Sequence, residues 1–284
     1  MACLTIHSPA KVNLFLKVLK KRSDGYHDII TVMQPITYYD EIFLDVSDGD
    51  DILIECDNKN IPSDNTNIAF KAAKIFLSKT GFAKKVSIKI KKNIPVAAGL
   101  GGGSSNAAYV LMGLNEILNA GLSKEDLMEI GEKLGSDVPF FVFGGSAIAA
   151  GRGEKLEKIE LPKFWYVIIN PCFPVSTAWA YENLDLTKKQ ENINIPFLKK
   201  RLKTFSIEDI LENDLENVTV KKYPDIENIK ASLKNLGAKG AMMSGSGPTV
   251  FGIFENEGAA KSAFDCINKE PKFKKMAVFV AQGL

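Results

Sequence analysis

The sequence predicts a mixed α/β protein of two domains, and three observations lead there. The 284 residues, 45% hydrophobic and 25% charged, are enough to bury a sizeable core and to build two modest domains. Strand-like and helix-like patterns alternate along the chain. Between one such strand and the helix after it lies PVAAGLGGGSSNAA, residues 95–108, where four of the five positions from Gly99 to Gly103 are glycine.

Each element has a local reason. AKVNLFLKVL (10–19) alternates Val12, Leu14, Leu16 and Val18 with more polar neighbours, and DEIFLDV and DILIEC repeat a strand pattern around the turn SDGD. NIAFKAAKIFLSKTG places Ile68, Ala72, Ile75 and Phe76 on one helical face and stops at Gly81, a C-cap residue. KKVSIKIKK alternates as a strand. After the glycines, Ser104, Ser105 and Asn106 offer capping side chains to the helix of AAYVLMGLNEIL. SKEDLMEIGEKLG opens with a capping box, Ser123 and Asp126, and runs to Gly135. SDVPFFVFGGSAIAAG has a Pro-marked break and is too apolar for a surface. EKLEKIELPKFWYVIINP holds two strand-like pieces, and a polar, Lys- and Asn-rich middle, 182–235, holds helical segments. GAMMSGSGPTVFGIF is a second glycine loop between short apolar runs, followed by a helix in GAAKSAFDCIN and a strand in MAVFVAQ. One boundary near residue 160 separates the two domains.

Composition narrows the function. Lys plus Arg total 36 against 34 for Asp plus Glu, so a net charge of +2 supplies no basic field for nucleic acid or membrane, while a small anionic substrate remains open. Cys3, Cys56, Cys172 and Cys266 form no CxxC pair and have two histidines to join them, which reads as scattered thiols in a reducing compartment. The start MACLTIHSPAKVNLFLK lacks the signal-peptide pattern, and no apolar run approaches the roughly 18 residues of a membrane span, so the cytoplasm is the expected location.

The glycine stretch carries the chemistry. Glycine reaches positive φ and lets ligand atoms approach main-chain N–H groups. A helix that begins at once adds unpaired N–H groups and about half a positive charge. Together they cradle an anion, and each N–H bonded to a phosphate oxygen contributes roughly 1.5–3 kcal/mol. A flexible or tightly packed structural loop is the alternative. A Walker A loop is excluded because no lysine lies between Lys92 and Lys124, GxGxxG fails because Ser104 stands at its third glycine, and the HRD and DFG of protein kinases are absent.

PVAAGLGGGSSNAA resembles the central motif of the GHMP kinases (galactokinase, homoserine kinase, mevalonate kinase, phosphomevalonate kinase): Pro, several small residues, then Gly-Leu-Gly-Ser/Gly-Ser-Ser. PAKVNLFL (9–16) and SGSGPTVFGIF (244–254) resemble two further motifs of that family, and the three span almost the whole chain in the family's order. Galactokinase and mevalonate kinase relatives carry Gly-Glu-His soon after the first strand, where Asp24-Gly25-Tyr26-His27 stands here; that tetrad and GSDVPFF (135–141) resemble members acting on a cytidine diphosphate-bearing alcohol. The resemblance implies a two-domain α/β (α+β) fold, with a ribosomal-protein-S5-domain-2-like ATP-binding domain over 1–160 and a ferredoxin-like domain over 161–284.

It also implies ATP and Mg²⁺, with Pro95, Val96, Ala97, Ala98, Gly99, Leu100, Gly101, Gly102, Gly103, Ser104 and Ser105 around the phosphates and Asn67, Ile68 and Lys92 toward adenine. No carboxylate cluster marks the metal's ligands, for which the Ser104 and Ser105 hydroxyls are candidates. The resemblance assigns Asp137 to accept the substrate hydroxyl proton and Lys11 to sit beside it. An aspartate near pKa 3.9 is a poor base for an alcohol, so Asp137 reads as an orienting acceptor that takes the proton late. A helix cap ahead of Pro139 and a solvated strand lysine are the structural alternatives for these two. Asn13 would contact the acceptor end, Tyr26 would stack on cytosine and His27 would read it, although the tetrad is also a plain turn. Tyr181 is the second aromatic, with Trp179 competing and a core role open. Met242 to Gly247, with Gly245, Ser246 and Gly247 at its tip, would form a wall near the substrate phosphates, or else a tight hairpin. The implied partner is a small molecule with a cytidine diphosphate moiety, no nucleic acid and no membrane, for a monomer or weak homodimer. A dinucleotide-dependent oxidoreductase needs the missing third glycine, and an RNA-binding module needs a basic face.

Overall fold

The computed structural model describes residues 2–186, 193–204 and 206–284; positions 187–192 of the polar middle and residue 205 lie outside them. The chain forms two compact units, Met1–Ala10 with Tyr38–Ile94 and Gly101–Gly144, and Lys11–Thr37 with Pro95–Leu100 and Gly145–Leu284. The partition is interleaved, because the first two strands and the glycine stretch each run from one unit into the other.

In the first unit, parts of β1 (Ala2–Lys21) and β2 (His27–Asp48) join β3 (Ile52–Cys56), α1 (Ile68–Thr80), β4 (Lys84–Lys91), α2 (Gly102–Ile117), α3 (Lys124–Leu134) and α4 (Val138–Phe143). β4 runs antiparallel to β2 and parallel to β3, with Ile88 opposite Leu44 on one side and Ile54 on the other. Its Val86, Ile88 and Ile90 are buried while Lys85, Lys89 and Lys91 face out and Ser87 is half-buried, the period-2 pattern of a half-buried strand. α1 starts where the Asn67 side chain accepts the Ala69 N–H and ends at Gly81 with φ +74°, and it buries Ala69, Ala72, Ala73 and Phe76 along one stripe. α3 carries the capping box read from Ser123 and Asp126. α2 differs from expectation. Gly101 at φ +71° is its N-cap and no side chain caps it, so Ser104, Ser105 and Asn106 lie inside the helix instead of before it. The left-handed Gly101 ends the preceding loop three residues before Ser104, the first residue that could supply a hydroxyl cap. Further along, a Cβ on Gly113 would stand 2.6 Å from Ile6 Cδ1 and 3.0 Å from Leu44 Cδ2, so α2 lies as close to β1 and β2 as a bare backbone allows.

In the second unit the rest of β1 and β2 form a hairpin that turns where the Arg22 N–H donates to Tyr26 O at 2.8 Å. β5 (Ala147–Gly151) pairs antiparallel with β2 and with β6 (Lys155–Lys158). β7 (Trp165–Asn170), α5 (Thr177–Glu182), α6 (Ile195–Thr204), α7 (Ile207–Ile210), β8 (Glu212–Asn213), α8 (Asp214–Lys222), α9 (Asp225–Asn235), β9 (Gly240–Met243), β10 (Val250–Phe254), α10 (Glu257–Lys269) and β11 (Ala277–Gln282) follow. β8 pairs parallel with β1, Leu16 opposite Asn213. The remaining four strands form an antiparallel sheet in the order β11-β7-β10-β9, with helices between β7 and β9 and between β10 and β11, the split βαβ arrangement of ferredoxin-like folds. Val167, Ile169, Leu233, Val250, Phe254 and Ile267 fill its core. All four cysteines are free thiols.

Candidate active site

Strand alternation places Lys11 and Asn13 on one face of β1, and both are buried, at 4% and 3% exposure, in a strand otherwise lined by Ala10, Val12 and Leu14. Buried polar groups need partners, and these have them. The Lys11 ammonium donates to Gly99 O at 3.0 Å and to Asn13 Oδ1, while the Lys11 main-chain N–H donates to Leu100 O at 3.0 Å. Asn13 Nδ2 donates to Thr31 Oγ1 at 2.9 Å, and the Asn13 N–H to Ser244 Oγ at 3.2 Å. Ser244 Oγ in turn donates to Gly99 O at 2.9 Å. This cluster closes around a glycine that nothing larger can replace, since a Cβ on Gly99, whose φ is +75°, would stand 2.0 Å from Ser244 O. The second glycine loop is braced from below: Asn213 Nδ2 donates to Met243 O and Gly245 O, each at 2.8 Å, and Thr177 Oγ1 and Ser246 Oγ share a hydrogen bond of 2.8 Å. Lys11, Asn13, Gly99, Ser244, Gly245 and Ser246 are thus part of one polar layer, together with Thr31 and Asn213, which sequence reasoning did not single out.

In the first unit, the start of α2 presents main-chain N–H groups without a side-chain cap. A Cβ on Gly103 would meet only Ile68 Cγ2, at 3.7 Å, so the approach there is open. Ser105 Oγ is fully buried and, among the described residues, is the one buried side-chain oxygen or nitrogen without a hydrogen-bond partner. Uncapped donors and an unmet hydroxyl fit a bound polyphosphate. Asn67 spends its amide on the start of α1, donating to Pro62 O at 2.7 Å and accepting from Ala69 N at 2.9 Å. The Lys92 ammonium is turned inward, donating to Asp40 Oδ2 at 2.7 Å and Ile94 O at 2.6 Å. Burial pushes its pKa down, and the Asp40 carboxylate works against that shift. Asp137 stands at the N-cap of α4, yet its side chain makes no capping bond there, so the helix-cap alternative does not describe its carboxylate.

The aromatic residues form a different kind of surface. The His27 ring stacks on Tyr181, with centroids 4.9 Å apart and planes at 24°. Tyr26, 52% exposed, carries the Arg152 guanidinium 5.0 Å from its ring centre. Its N–H donates to Asp24 Oδ1 at 3.1 Å, and Arg22 bridges Asp24 and Asp28, which fixes the turn. Trp179 packs instead edge-on to Tyr223 beneath the Lys222 ammonium, so of the two competing aromatics it is Tyr181 that meets His27. Burial, and secondarily the Lys21 charge, hold the His27 pKa below its ordinary value.

Comparison with known proteins decides the family. The pattern of the GHMP kinases N terminal domain matches residues 67–145 and that of the GHMP kinases C terminal domain matches residues 197–272. The chain belongs to the GHMP kinase family. Among relatives of this GHMP kinase, the 4-diphosphocytidyl-2-C-methyl-D-erythritol kinase of Syntrophotalea carbinolica is 47% identical over 272 residues, covering 95% of this chain and 96% of that one. The enzyme of the same name from Geobacter metallireducens is 49% identical over 279 residues, covering 98% and 99%. A crystal structure of 4-(cytidine 5'-diphospho)-2C-methyl-D-erythritol kinase superposes with a TM-score of 0.84 at 30% identity, covering 99% of each chain. A homoserine kinase from Cytophaga hutchinsonii shares the fold, with a TM-score of 0.75 at 19% identity. GHMP kinases are ATP-dependent phosphotransferases, which supports ATP as the phosphoryl donor here. Among the described residues no group of three or more His, Cys, Asp or Glu side chains is placed to hold a metal ion.

Proposed function

We propose that this GHMP kinase transfers the γ-phosphoryl group of ATP to the 2-hydroxyl of 4-diphosphocytidyl-2-C-methyl-D-erythritol, a step of non-mevalonate isoprenoid synthesis. The observation that carries the acceptor is near-full-length identity of 47–49% with relatives of that name. The His27–Tyr181 stack beside Tyr26 supports it, being a surface suited to a flat heterocycle. The proposal keeps the domain division at 1–160 and 161–284, a cytoplasmic location, a monomer or weak homodimer, and no nucleic acid or membrane partner; no helix among the described residues is long and apolar enough to cross a membrane.

The residues divide the work. The α2 N-terminus and the glycines from Gly99 to Gly103 hold phosphate oxygens through main-chain N–H groups, and Ser105 Oγ gains the partner it lacks. Magnesium, where bound, would neutralise phosphate charge beside the Ser104 and Ser105 hydroxyls. Asp137 orients the acceptor hydroxyl and takes its proton late, in keeping with a loose phosphoryl-transfer transition state. Lys11, its ammonium fixed by Gly99 O and Asn13 Oδ1, supplies positive charge to the migrating phosphoryl group without needing to reorganise. Asn13 lines the acceptor end, His27 hydrogen-bonds cytosine, and Tyr26 and Tyr181 give it apolar faces. Gly245, Ser246 and Gly247 bring main chain close to the substrate phosphates. Asn67, Ile68 and Lys92 shape the adenine side through the backbone they anchor.

ADP release measured across galactose, homoserine, mevalonate, phosphomevalonate and the diphosphocytidyl methylerythritol acceptor tests this. The last should exceed the others in kcat/KM by on the order of 10³ or more, because a site built to hydrogen-bond a required group rejects compounds lacking it. Comparable turnover of mevalonate or homoserine would refute the acceptor assignment.

A further inference from the structure

The Asp40 carboxylate is fully buried, yet it lies outside every motif that marks the family. Four donors converge on it. Oδ1 accepts the main-chain N–H groups of Asn93 and Ile94, each at 2.8 Å; Oδ2 accepts the Lys92 ammonium at 2.7 Å and Asn106 Nδ2 at 2.9 Å. Asn106 reaches further, donating to Ser8 Oγ at 2.8 Å. These donors bracket the glycines from Gly99 to Gly103 in sequence, since Asn93 and Ile94 lie before them and Asn106 follows them in the first turns of α2. A further contact ties the group to the helix start: a Cβ on Gly102 would stand 2.9 Å from Lys92 Nζ and 2.9 Å from Ile94 Cγ2. The lysine and the strand end that Asp40 fixes therefore define the floor on which Gly102 rests.

Hydrogen bonds to a buried carboxylate are strong, and leaving one member unpaired is costly, so this arrangement has one geometry. We propose that Asp40 is a positioning residue for nucleotide binding, holding the α2 N-terminus where its N–H groups meet phosphate. It touches no substrate and acts through Lys92, Ile94 and Asn106. The inference rests on the reading of α2 as the phosphate site, and the test separates the two.

Asp40→Asn retains the size and one acceptor oxygen for Asn93 and Ile94 but turns an NH₂ donor toward Lys92 and Asn106. Asn106→Ala removes one donor and leaves the carboxylate paired, a milder change that keeps the test usable if the first variant fails to fold. Calorimetry with ATP and steady-state kinetics would be run on folded wild type and variants, with the thermal midpoint as control. A rise in KM and Kd for ATP of tenfold or more in Asp40→Asn, or severalfold in Asn106→Ala, with acceptor KM unchanged within twofold, supports positioning. A lower thermal midpoint with nucleotide affinity unchanged in the folded variants assigns Asp40 to stability alone and overturns the proposal. Wild type that binds no ATP overturns the phosphate-site reading first and this inference with it.

Discussion

Two regions of the second unit are built on opposite principles. Around Lys11 the polar groups are buried and mutually bonded, with Asn13, Thr31, Ser244 and Gly99 each holding the next. Around Tyr26 the rings are half exposed, held by stacking, a guanidinium and a charged turn. The first arrangement preorganises charge at fixed positions, which suits a step in which the protein must not reorganise. The second offers flat surface and adaptable polar edges, which suits recognition of a base. A change in the first region should therefore fall on kcat, and a change in the second on KM and discrimination.

The largest effect tests that division directly. Asp137→Asn and Lys11→Ala should each lower kcat by on the order of 10²–10⁴ with the fold retained, checked by circular dichroism beside single-turnover kinetics. Lys11→Ala also leaves Asn13 Oδ1 without its buried donor and Gly99 O with Ser244 Oγ alone, so it should lose thermal stability as well as turnover. Near-normal turnover in both would remove these residues from the chemistry. A smaller effect belongs to the aromatic region. His27→Ala should reduce the preference for cytidine over uridine acceptors by roughly 10- to 100-fold, the worth of about 1–3 kcal/mol for one required hydrogen bond, while kcat for the cytidine acceptor stays close to normal. Unchanged discrimination would contradict the reading of His27.

Local signals were legible and distant ones were not. The cap at Gly81, the Ser123–Asp126 box and the alternation of β4 each depend on residues within a few positions, and the structure has all three. Alternation along β1 likewise puts Lys11 and Asn13 on one face. The start of α2 misled, because Ser104 and Ser105 are good caps in isolation and only the left-handed Gly101 shows where the helix begins. Asp40 was out of reach for another reason: its partners Lys92 and Asn106 are 52 and 66 residues away, and no periodicity encodes such a meeting. Nor could spacing choose between Trp179 and Tyr181, which one short helix carries toward different neighbours, Tyr223 and His27.

The smallest effect is a pH dependence confined to the aromatic region. The His27 imidazole has a pKa below its ordinary 6.5, first because burial disfavours the charged ring and then because Lys21 repels it. In the unfolded chain the ring regains its ordinary pKa, so as pH falls the unfolded state takes up the proton first. The contribution of neutral His27 to stability is therefore intact above 6.5 and is lost as pH drops from there through the folded value. Thermal midpoints of wild type and His27→Gln between pH 8 and pH 5 isolate it, since glutamine keeps a polar edge without titrating. The wild type should lose more stability than the variant over that window. Parallel losses would mean that the His27–Tyr181 stack tolerates the charged ring, and that His27 can meet cytosine with both nitrogens protonated.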